Sequence, residues 1–384
     1  MKIGIPKEIQ DGEARVAVVP SMIPLLTQDE HEVFVETEAG SRASFADPQY
    51  EQAGAAILKT AKELYAKSDV VLKFQAPEKN QTLGKHEIDL LNEGKILIGS
   101  LPPGTHSDLV PKLLERKISC FAMEYLPRIT RAQSMDILSS MSTVAGYKAV
   151  LIAAFHLGKF FPLLMTAAGT VPPATVLVLG AGVAGLQAIA TAKRLGAKVE
   201  AFDPRPAVRE QVASLGVFFI DMEHPEDAET ESGYAREQSD EFLEREREAI
   251  TARLTKVDAI ITTAQVFGKE SPVLITEEMV KMLRPGSVIV DLAAAEGGNC
   301  SLSEANKTIE KHGVTIVGAV NLARSVPVHA SQMHSKNIIN LFKHLVSSGN
   351  GQFDLEDEIT RATCITHNGQ VINEMVKKNF GKEN

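Results

Sequence analysis

The chain has 384 residues, of which 44% are hydrophobic and 23% are charged, a composition typical of a soluble globular protein. This length exceeds what one ordinary hydrophobic core supports, so we expect two domains. A net charge of −9 with 15 Phe, 5 Tyr and no Trp argues against a nucleic-acid partner, because phosphate binding needs a basic face and base stacking needs aromatic side chains.

The N-terminus, MKIGIPKE, is charged and has no long apolar stretch, so it lacks the form of a signal peptide. The most apolar helical stretch, Thr143 to Phe155, contains Lys148 and is shorter than the roughly 20 apolar residues that cross a bilayer. The cysteines lie far apart and match no metal-ligand spacing: Cys120, Cys300 and Cys364. We therefore expect no metal site, and a cytoplasmic protein that meets a membrane only through partners.

Short apolar segments alternate with helix-like segments over the first ~125 residues. The predicted strands are KIGI, EVFVE, DVVLKF, KILIGSL and ISCFAME. Helices are predicted between them, for example at Met22–Gln28 and Leu109–Arg116. This rhythm is typical of a parallel sheet covered by helices.

A long helix is predicted from about Met135 to Lys159, followed by a hairpin or arm in FPLLMTAAGTVPPATV, where glycine and a proline pair interrupt the apolar run. From Thr175 the strand–helix rhythm restarts with TVLVLG, KVEAFD, VFFI, VDAIITTA, SVIVDLA and VTIVGAV. A last helix, about Pro327 to Val346, is expected to pack back on the first domain.

The predicted fold class is therefore α/β, with two Rossmann-like, doubly wound parallel-sheet domains joined by long helices. The N-terminal domain is expected to be discontinuous, formed by residues 1–136 and 327–384. Residues 137–326 are expected to form the second domain.

One acidic stretch, Asp221 to Glu248, breaks the pattern. It is either a solvated loop leading into a charged helix or a mobile flap over a site, since long insertions in compact domains often act as lids. Gly233 and Tyr234 in its middle offer a hinge and an aromatic tip.

A glycine-rich turn follows the strand Thr175–Leu179. Its residues are the expected cofactor-binding positions Gly180, Ala181, Gly182, Val183, Ala184 and Gly185. The first glycine permits a tight turn, the second lets the backbone approach a pyrophosphate, and the third lets the helix pack on the strand. The helix that follows directs its N-terminal N–H groups at the phosphates.

Asp203 ends the next strand, about 20 residues after the turn, where a carboxylate accepts hydrogen bonds from ribose hydroxyls and repels a 2′-phosphate. Arg205 and Arg209 follow; an arginine here can hold the phosphate of NADP, but we favour surface arginines on the next helix. The sequence thus predicts a dinucleotide site that prefers NAD(H).

A polar segment between Arg128 and Ser140 places a guanidinium, an amide, a carboxylate and hydroxyls close together. From the residues alone, it is either functional or a helix cap made by Ser134 or Asp136 with surface arginines.

This segment, PRITRAQSMDILSSMSTVAGYKAV, together with the opening IPKE…RVAVVP, the glycine turn, AFDPRP, PVLITEEMV and GSVIVDLAAAEGGNC, resembles proton-translocating nicotinamide nucleotide transhydrogenase. The similarity is to the soluble NAD(H)-binding component, domain I of the alpha subunit, and covers nearly the whole chain.

The resemblance implies a catalytic set of Arg128, Gln133 and Asp136. By that resemblance Arg128, Asp136 and Ser139 orient the carboxamide of NAD(H), while Gln133 lies where NADP(H) of a partner component approaches. The other cofactor-binding residues it implies are Asp203, Pro204, Arg205, Tyr234, Thr263, Ala264 and Gln265.

The implied reaction is direct hydride transfer between NADH and NADP⁺, coupled to proton movement through membrane-embedded partner subunits. Such a transfer needs proximity and orientation rather than a protein acid or base. The family also implies a homodimer that uses the hairpin near Ala167–Ala174. Larger members fuse this domain to transmembrane helices, so a stand-alone subunit, peripheral to the membrane, is expected here.

The main rival is alanine dehydrogenase, which shares the fold and the opening motif. Arg15 and Lys73 occupy its substrate-binding positions, but Ser100 and Ala295 replace its acid–base histidine and aspartate. Saccharopine-type relatives are a more remote alternative. A non-catalytic NAD sensor is a third, disfavoured because it has no need of the Arg128–Ser139 loop.

Gln265 and Phe267 depart from the favoured family, whose members read leucine and proline before the glycine. The local contacts on the nicotinamide side are therefore open.

Overall fold

The computed structural model describes residues 1–101, 108–222, 240–266, 270–347 and 353–380. The chain divides into two compact units, Met1–Met141 with Arg324–Asn384, here called the first unit, and Ser142–Ala323, the second unit. Tyr234 and Phe267 lie outside the described residues. Of the acidic stretch Asp221 to Glu248, the structure describes residues 221–222 and 240–248, the latter within a helix, so the flap stays a prediction.

The strands in chain order are β1 (Lys2–Ile5), β2 (Glu32–Glu36), β3 (Ala56–Leu58), β4 (Val70–Leu72), β5 (Lys79–Asn80), β6 (Lys85–His86), β7 (Ile96–Gly99), β8 (Ser119–Ala122), β9 (Leu164–Thr166), β10 (Gly169–Val171), β11 (Thr175–Leu179), β12 (Lys198–Phe202), β13 (Phe218–Phe219), β14 (Ala259–Thr262), β15 (Val288–Asp291), β16 (Thr308–Lys311), β17 (Val314–Gly318), β18 (Cys364–His367) and β19 (Gln370–Val371).

The α-helices are α1 (Pro24–Thr27), α2 (Asp47–Gln52), α3 (Ala61–Lys67), α4 (Leu109–Glu115), α5 (Ile137–His156), α6 (Val183–Arg194), α7 (Ala207–Ser214), α8 (Asp240–Leu254), α9 (Glu277–Lys281), α10 (Pro327–Val346), α11 (Glu358–Thr363) and α12 (Glu374–Phe380). Short 3₁₀ helices lie at Pro20–Met22, Ser41–Ala43, Glu87–Leu90, Met123–Tyr125, Thr130–Met135, Ala294–Glu296 and Leu322–Ser325.

The first unit is built on a sheet of order β3-β2-β1-β4-β7-β8-β18-β19. It is parallel from β3 to β8, while β18 and β19 add an antiparallel edge that the sequence did not predict. In β4, Val70 and Leu72 pack in one core cluster and Val71 in another, as the alternation of side chains along a strand requires. The sheet is therefore covered by apolar groups on both faces.

The second unit is built on a sheet of order β13-β12-β11-β14-β15-β17-β16, parallel except for β16. The chain moves outward from β11 to β13 and then returns to β14, so the strand order reverses between β11 and β14. Ligands of such sheets bind at the carboxyl ends of the strands beside this reversal. The α/β class with parallel-dominated, Rossmann-like sheets is confirmed.

Helix α5 is longer than the apolar stretch Thr143 to Phe155 seen in the sequence, because it begins at Ile137 and continues to His156, 20 residues in all. Among the described residues, it is the one helix long and apolar enough to cross a membrane. The expectation that this region is too short for a span is therefore wrong on length. Ala149, Val150 and Ala153 pack in the core of the second unit, and a core helix passes the same test, so the evidence for a span is weak.

The predicted hairpin is confirmed: β9 and β10 pair antiparallel as a separate two-stranded ribbon. Its turn uses Gly169 with a φ of +114°, which favours glycine. Met165 is 81% exposed and Leu163 53%. The ribbon therefore presents apolar side chains to solvent.

Candidate functional site

The three glycines of the turn after β11 have different surroundings. Gly180 has a φ of +91°, and a Cβ built there would lie 2.6 Å from Oγ1 of Thr263. A Cβ on Gly185 would lie 1.9 Å from the carbonyl oxygen of Gly180, so only glycine lets α6 pack on the turn. A Cβ on Gly182 would find its nearest neighbour 3.7 Å away, at Nη2 of Arg205. Gly182 is therefore not required for packing, and the space beside it is open to a ligand.

Helix α6 begins at Val183 with Gly182 as its N-cap residue, in an extended conformation and without a side-chain cap. The first N–H groups of a helix have no partner within it, and the helix dipole favours an anion at that end. Since glycine has no side chain to occupy these N–H groups, they suit a phosphate.

Asp203 follows β12 and is buried. Its Oδ2 accepts a hydrogen bond from the N–H of Ala181 at 2.6 Å, which ties the end of β12 to the glycine turn. Arg205 donates to the same carboxylate from its backbone N–H, Nε and Nη2, each at 2.9 Å. A carboxylate held at this position by four N–H groups has a fixed orientation toward the turn.

Arg205 and Arg209 differ in environment. The side chain of Arg205 is 13% exposed and precedes α7, so the expectation of a surface arginine on the next helix is wrong for this residue. Its ion pair with Asp203 keeps it beside the turn. Arg209 lies within α7, is largely exposed and pairs with Asp221 at 2.7 Å, as expected of a surface arginine.

Glu246, in α8, is a second buried carboxyl group near Asp203. Burial, and then the negative charge of Asp203, raise the pKa of Glu246 to about 8, while Arg247 acts in the opposite direction. We did not predict Glu246. The signal was present, because Phe242 and Ile250 lie four residues before and after it and both are buried, so helical periodicity places Glu246 on the same face.

The end of β14 is bonded to the turn. Oγ1 of Thr263 donates to the carbonyl of Gly180 at 3.0 Å, and the N–H of Thr263 donates to the carbonyl of Leu179 at 2.8 Å. Asn299, which is fully buried, pairs with Ala264 in both directions: Oδ1 accepts from its N–H at 3.0 Å, and Nδ2 donates to its carbonyl at 2.8 Å. Sequence reasoning missed Asn299, which holds the segment after β14 in place.

Gln265 is exposed, and its Nε2 donates to the carbonyl of Leu292 at 3.2 Å and to Oε2 of Glu296 at 3.1 Å. Partial burial raises the pKa of Glu296. The buried Asp291 at the end of β15 organises the loop that contains Glu296, accepting from Oγ1 of Thr262 at 2.9 Å and from the N–H of Cys300 at 3.0 Å. The side chain of Gln265 is therefore bonded to the loop after β15, a contact that the sequence did not indicate.

The Arg128–Ser139 loop belongs to the first unit, and the glycine turn to the second. Asp136 precedes α5, and its carboxylate accepts from the N–H of Ser139 at 3.0 Å and from Oγ of Ser139 at 2.5 Å. The helix-cap interpretation is confirmed for Asp136. Arg128 and Gln133 are exposed on either side of the start of the 3₁₀ helix Thr130–Met135. The structure brings Asp136 and Ser139 together and leaves the side chains of Arg128 and Gln133 exposed at the surface.

Lys73, a substrate-binding position of the rival family, is fully buried. Its Nζ lies 3.0 Å from Oε1 of Glu87 and 3.2 Å from Oε2 of Glu8. Burial acts to lower the pKa of Lys73, but the two carboxylates outweigh it and raise the pKa above its usual value. The charge of Lys73 is therefore already balanced within the first unit.

Arg15, the other such position, is also buried, and its guanidinium bonds the carboxylate of Glu13 through Nε at 2.7 Å and Nη2 at 2.6 Å. Ser100, which stands where the rival has its acid–base histidine, donates its hydroxyl to Glu124. These contacts use the groups that would otherwise hold a small carboxylic acid and move its proton.

Two family models match the chain: "Alanine dehydrogenase/PNT, N-terminal domain" over residues 4–145 and "Alanine dehydrogenase/PNT, C-terminal domain" over residues 149–374. An NAD(P) transhydrogenase alpha-subunit chain of Rhodospirillum rubrum is 50% identical over 376 residues, which are 97% of this chain and 98% of that protein. The crystal structure of transhydrogenase from Sinorhizobium meliloti matches with a TM-score of 0.86 and 40% identity, covering 97% of this chain and 100% of that one.

An L-alanine dehydrogenase structure also matches, with a TM-score of 0.82 and 27% identity, covering 100% of this chain and 99% of that one. The shared fold thus extends over nearly the whole chain in both directions of comparison, and the sequence identity is higher to the two transhydrogenases.

Proposed function

The chain belongs to the alanine dehydrogenase/PNT family, as its motifs predicted, and within that family we propose that it is the NAD(H)-binding component of a proton-translocating transhydrogenase. The observation that carries the proposal is the open space beside Gly182, at the N-terminus of α6 and next to the fixed carboxylate of Asp203. A pyrophosphate can approach the backbone there, and a ribose can meet a carboxylate.

In this proposal NAD(H) is a substrate that supplies or accepts a hydride. The chain's own residues bind and orient it. Val183 and Ala184 present the N–H groups at the start of α6, and Pro204 leads from Asp203 to Arg205, whose charge lies beside Gly182. Thr263, Ala264 and Gln265 form the segment after β14 that borders the glycine turn. The family resemblance assigns Tyr234, which lies outside the described residues, to the same nucleotide.

On the first unit, we assign Arg128, Asp136 and Ser139 to the orientation of the carboxamide. Gln133 meets NADP(H), which a partner component holds. Because hydride transfer between two nicotinamides depends on distance and alignment, exposed polar groups on a well-anchored loop suit this task better than a titrating acid or base.

Alanine dehydrogenase activity is the second candidate, supported by the shared fold. Two observations count against it. The cations Lys73 and Arg15 are paired with buried carboxylates, and the acid–base positions hold Ser100 and Ala295. A site without a group to move the proton cannot take the amine through its reaction with the keto acid.

The exposed ribbon of β9 and β10 supports a homodimer as the assembled form. A lone two-stranded ribbon is marginally stable in water, and exposed apolar groups mark interaction sites. Phe155 and Phe160, at the end of α5 and just after it, are also exposed, at 84% and 57%. We expect Met165→Asp to yield a monomer in sedimentation velocity, with Met375→Asp, another exposed methionine, as the control that stays dimeric.

The proposal also implies membrane-embedded partner subunits that couple hydride transfer to proton movement, so that the chain works at the cytoplasmic face of a membrane without inserting. The test is a mixing assay. The purified chain is combined with an NADP(H)-binding transhydrogenase component and an NAD⁺ analogue whose reduced form absorbs at its own wavelength, and we expect hydride exchange. An inert mixture, together with turnover of pyruvate, ammonia and NADH by the chain alone, would favour the alanine dehydrogenase alternative.

A further inference from the structure

Two asparagine side chains of α10 converge on one backbone carbonyl of the loop that contains Gln133. Nδ2 of Asn337 lies 2.9 Å from the carbonyl oxygen of Ser134, and Nδ2 of Asn340 lies 3.1 Å from the same atom. The two asparagines are three residues apart, so they share one face of the helix. A carbonyl oxygen has two lone pairs, and both are used.

Ser134 needs partners from elsewhere because it lies at the end of the 3₁₀ helix Thr130–Met135. The last carbonyl groups of a helix have no N–H partner within the helix. On either side of Gln133 and Ser134, the side chains of Ala132 and Met135 are buried in the core of the first unit. The loop is thus held by the packing of Ala132 and Met135 in the core and by hydrogen bonds from α10, while Gln133 stays exposed.

Asn337 is an unusual choice for packing alone. It is 6% exposed, and its Oδ1 is buried without a hydrogen-bond partner among the residues that the structure describes. A leucine has the same branching at Cγ and would leave no acceptor of its own unpaired, so burial in the core does not by itself call for an amide here. What distinguishes asparagine at this position is the N–H group that it donates to Ser134.

We propose that Asn337 and Asn340 are positioning residues for hydride transfer: they fix the carbonyl of Ser134 and, through the adjoining peptide, the direction in which Gln133 leaves the loop. This inference rests on the proposed function, in which Gln133 meets the second nucleotide. Neither asparagine is assigned any contact with a nucleotide.

Arg131 provides a further, weaker tether. Its Nη1 lies 3.1 Å from Oδ2 of Asp357, but the arginine side chain is 60% exposed. Exposed ion pairs contribute little to stability. Arg131→Gln therefore changes the same loop while leaving intact the carbonyl clamp, the name used here for the hydrogen bonds from Asn337 and Asn340 to the carbonyl of Ser134.

The experiment compares Asn337→Leu, Asn340→Leu and the double variant with wild type, using Gln332→Leu, an exposed amide of α10, as the matched control. The readouts are the single-turnover rate of hydride transfer in the mixing assay, the NADH dissociation constant by calorimetry, and the melting temperature. We expect the double variant to transfer hydride about 10-fold more slowly, because small displacements of an orienting group have large effects on rate.

The NADH dissociation constant and the melting temperature are expected to stay at wild-type values. Asn340→Gln, which keeps an amide donor, should transfer hydride at close to the wild-type rate and faster than Asn340→Leu. An unchanged rate in the double variant, or a loss of rate that follows a loss of folded protein, would overturn the proposal.

Amide hydrogen exchange of residues 130–136 separates this inference from the proposed function. Faster exchange in the double variant, with wild-type exchange in Gln332→Leu, supports the clamp. Unchanged exchange overturns it even if the mixing assay succeeds. If the wild-type mixture transfers no hydride, the proposed function fails, and the exchange data still decide whether the clamp holds the loop.

Discussion

The guanidinium of Arg205 bonds the carboxylate of Asp203 at both oxygens, from Nε to Oδ1 and from Nη2 to Oδ2, each at 2.9 Å. This bidentate geometry is the strongest that the two groups can form. It leaves Asp203 rigid and places a positive charge beside the open turn at Gly182. The carboxylate that we propose for ribose recognition and the cation that we propose for the pyrophosphate therefore form one ion pair.

Removal of the charge on Asp203 is expected to weaken NADH binding and to narrow the preference over NADPH. A hydrogen bond to a charged group contributes about 1.5–3 kcal/mol, so Asp203→Asn should lower NADH affinity by about 10–100-fold. Calorimetry with both nucleotides measures this. Arg209→Gln, at the exposed arginine, should leave both affinities unchanged. Equal affinity of the wild-type chain for NADH and NADPH would contradict the role of Asp203.

Alanine substitutions at Gly182 and Gly185 are expected to affect different properties, NADH affinity in the first and folding stability in the second. Gly182→Ala has room for its Cβ, so folding stability should change by less than about 1 kcal/mol, while NADH affinity falls because the methyl group blocks the pyrophosphate. In Gly185→Ala the new Cβ would clash with the carbonyl of Gly180. Overpacking of this kind typically costs about 1–3 kcal/mol, so the second unit should be destabilised by at least that amount. Urea unfolding and calorimetry on both variants test the pair. Equal loss of stability in both would contradict this assignment.

Gln133→Asn is expected to slow hydride exchange strongly without changing NADH affinity. The shorter side chain withdraws the amide by about one C–C bond. Because a small displacement of an orienting group has a large effect on the rate of a reaction limited by orientation, we expect hydride exchange to slow by roughly 10-fold or more. The mixing assay and calorimetry measure the two quantities. Ser134→Ala, which keeps the clamped carbonyl, is the control expected to retain the rate. A matching loss of NADH affinity in Gln133→Asn would assign Gln133 to binding instead.

Glu246 predicts a pH dependence of stability. Its pKa in the folded chain is about 8, raised first by burial and then by Asp203, against an ordinary value near 4.5. The folded state therefore holds this proton up to about pH 8, while the unfolded chain releases it near pH 4.5. The stability that this group contributes is fully present below pH 4.5 and is lost as the pH rises toward 8.

Glu246→Gln removes this titration. Because wild type loses this stability as the pH rises and the variant does not, the unfolding free energy of the variant relative to wild type should increase by about 2–4 kcal/mol from pH 5 to pH 8. This range follows from the size of the pKa shift. Urea unfolding at both pH values tests this, with Glu248→Gln, an exposed neighbour in α8, as the matched control. Parallel pH profiles for wild type and Glu246→Gln would show that the folded carboxyl titrates normally.

The central strands could be predicted because their apolar runs are buried on both faces, which leaves a clear local pattern. The edge was harder. Strands β18 and β19 were missed because Cys364–His367 has no alternation long enough to distinguish it from a loop. Its partner strand β8 also lies far away in the sequence, since Cys364 pairs with Phe121. The helix α10 was predicted with its observed bounds, since a proline at its start and a strong apolar periodicity define it.

The sequence by itself determined the dinucleotide unit, because the strand, the glycine turn, the helix and Asp203 lie within one short stretch and depend on local backbone geometry. Only the tertiary structure decided what surrounds it. Asn299 brackets Ala264 from 35 residues away, and Asn337 holds Ser134 from 203 residues away. Such pairs depend on how separate helices, strands and loops pack together, and no local pattern in the sequence records which polar groups that packing brings into contact.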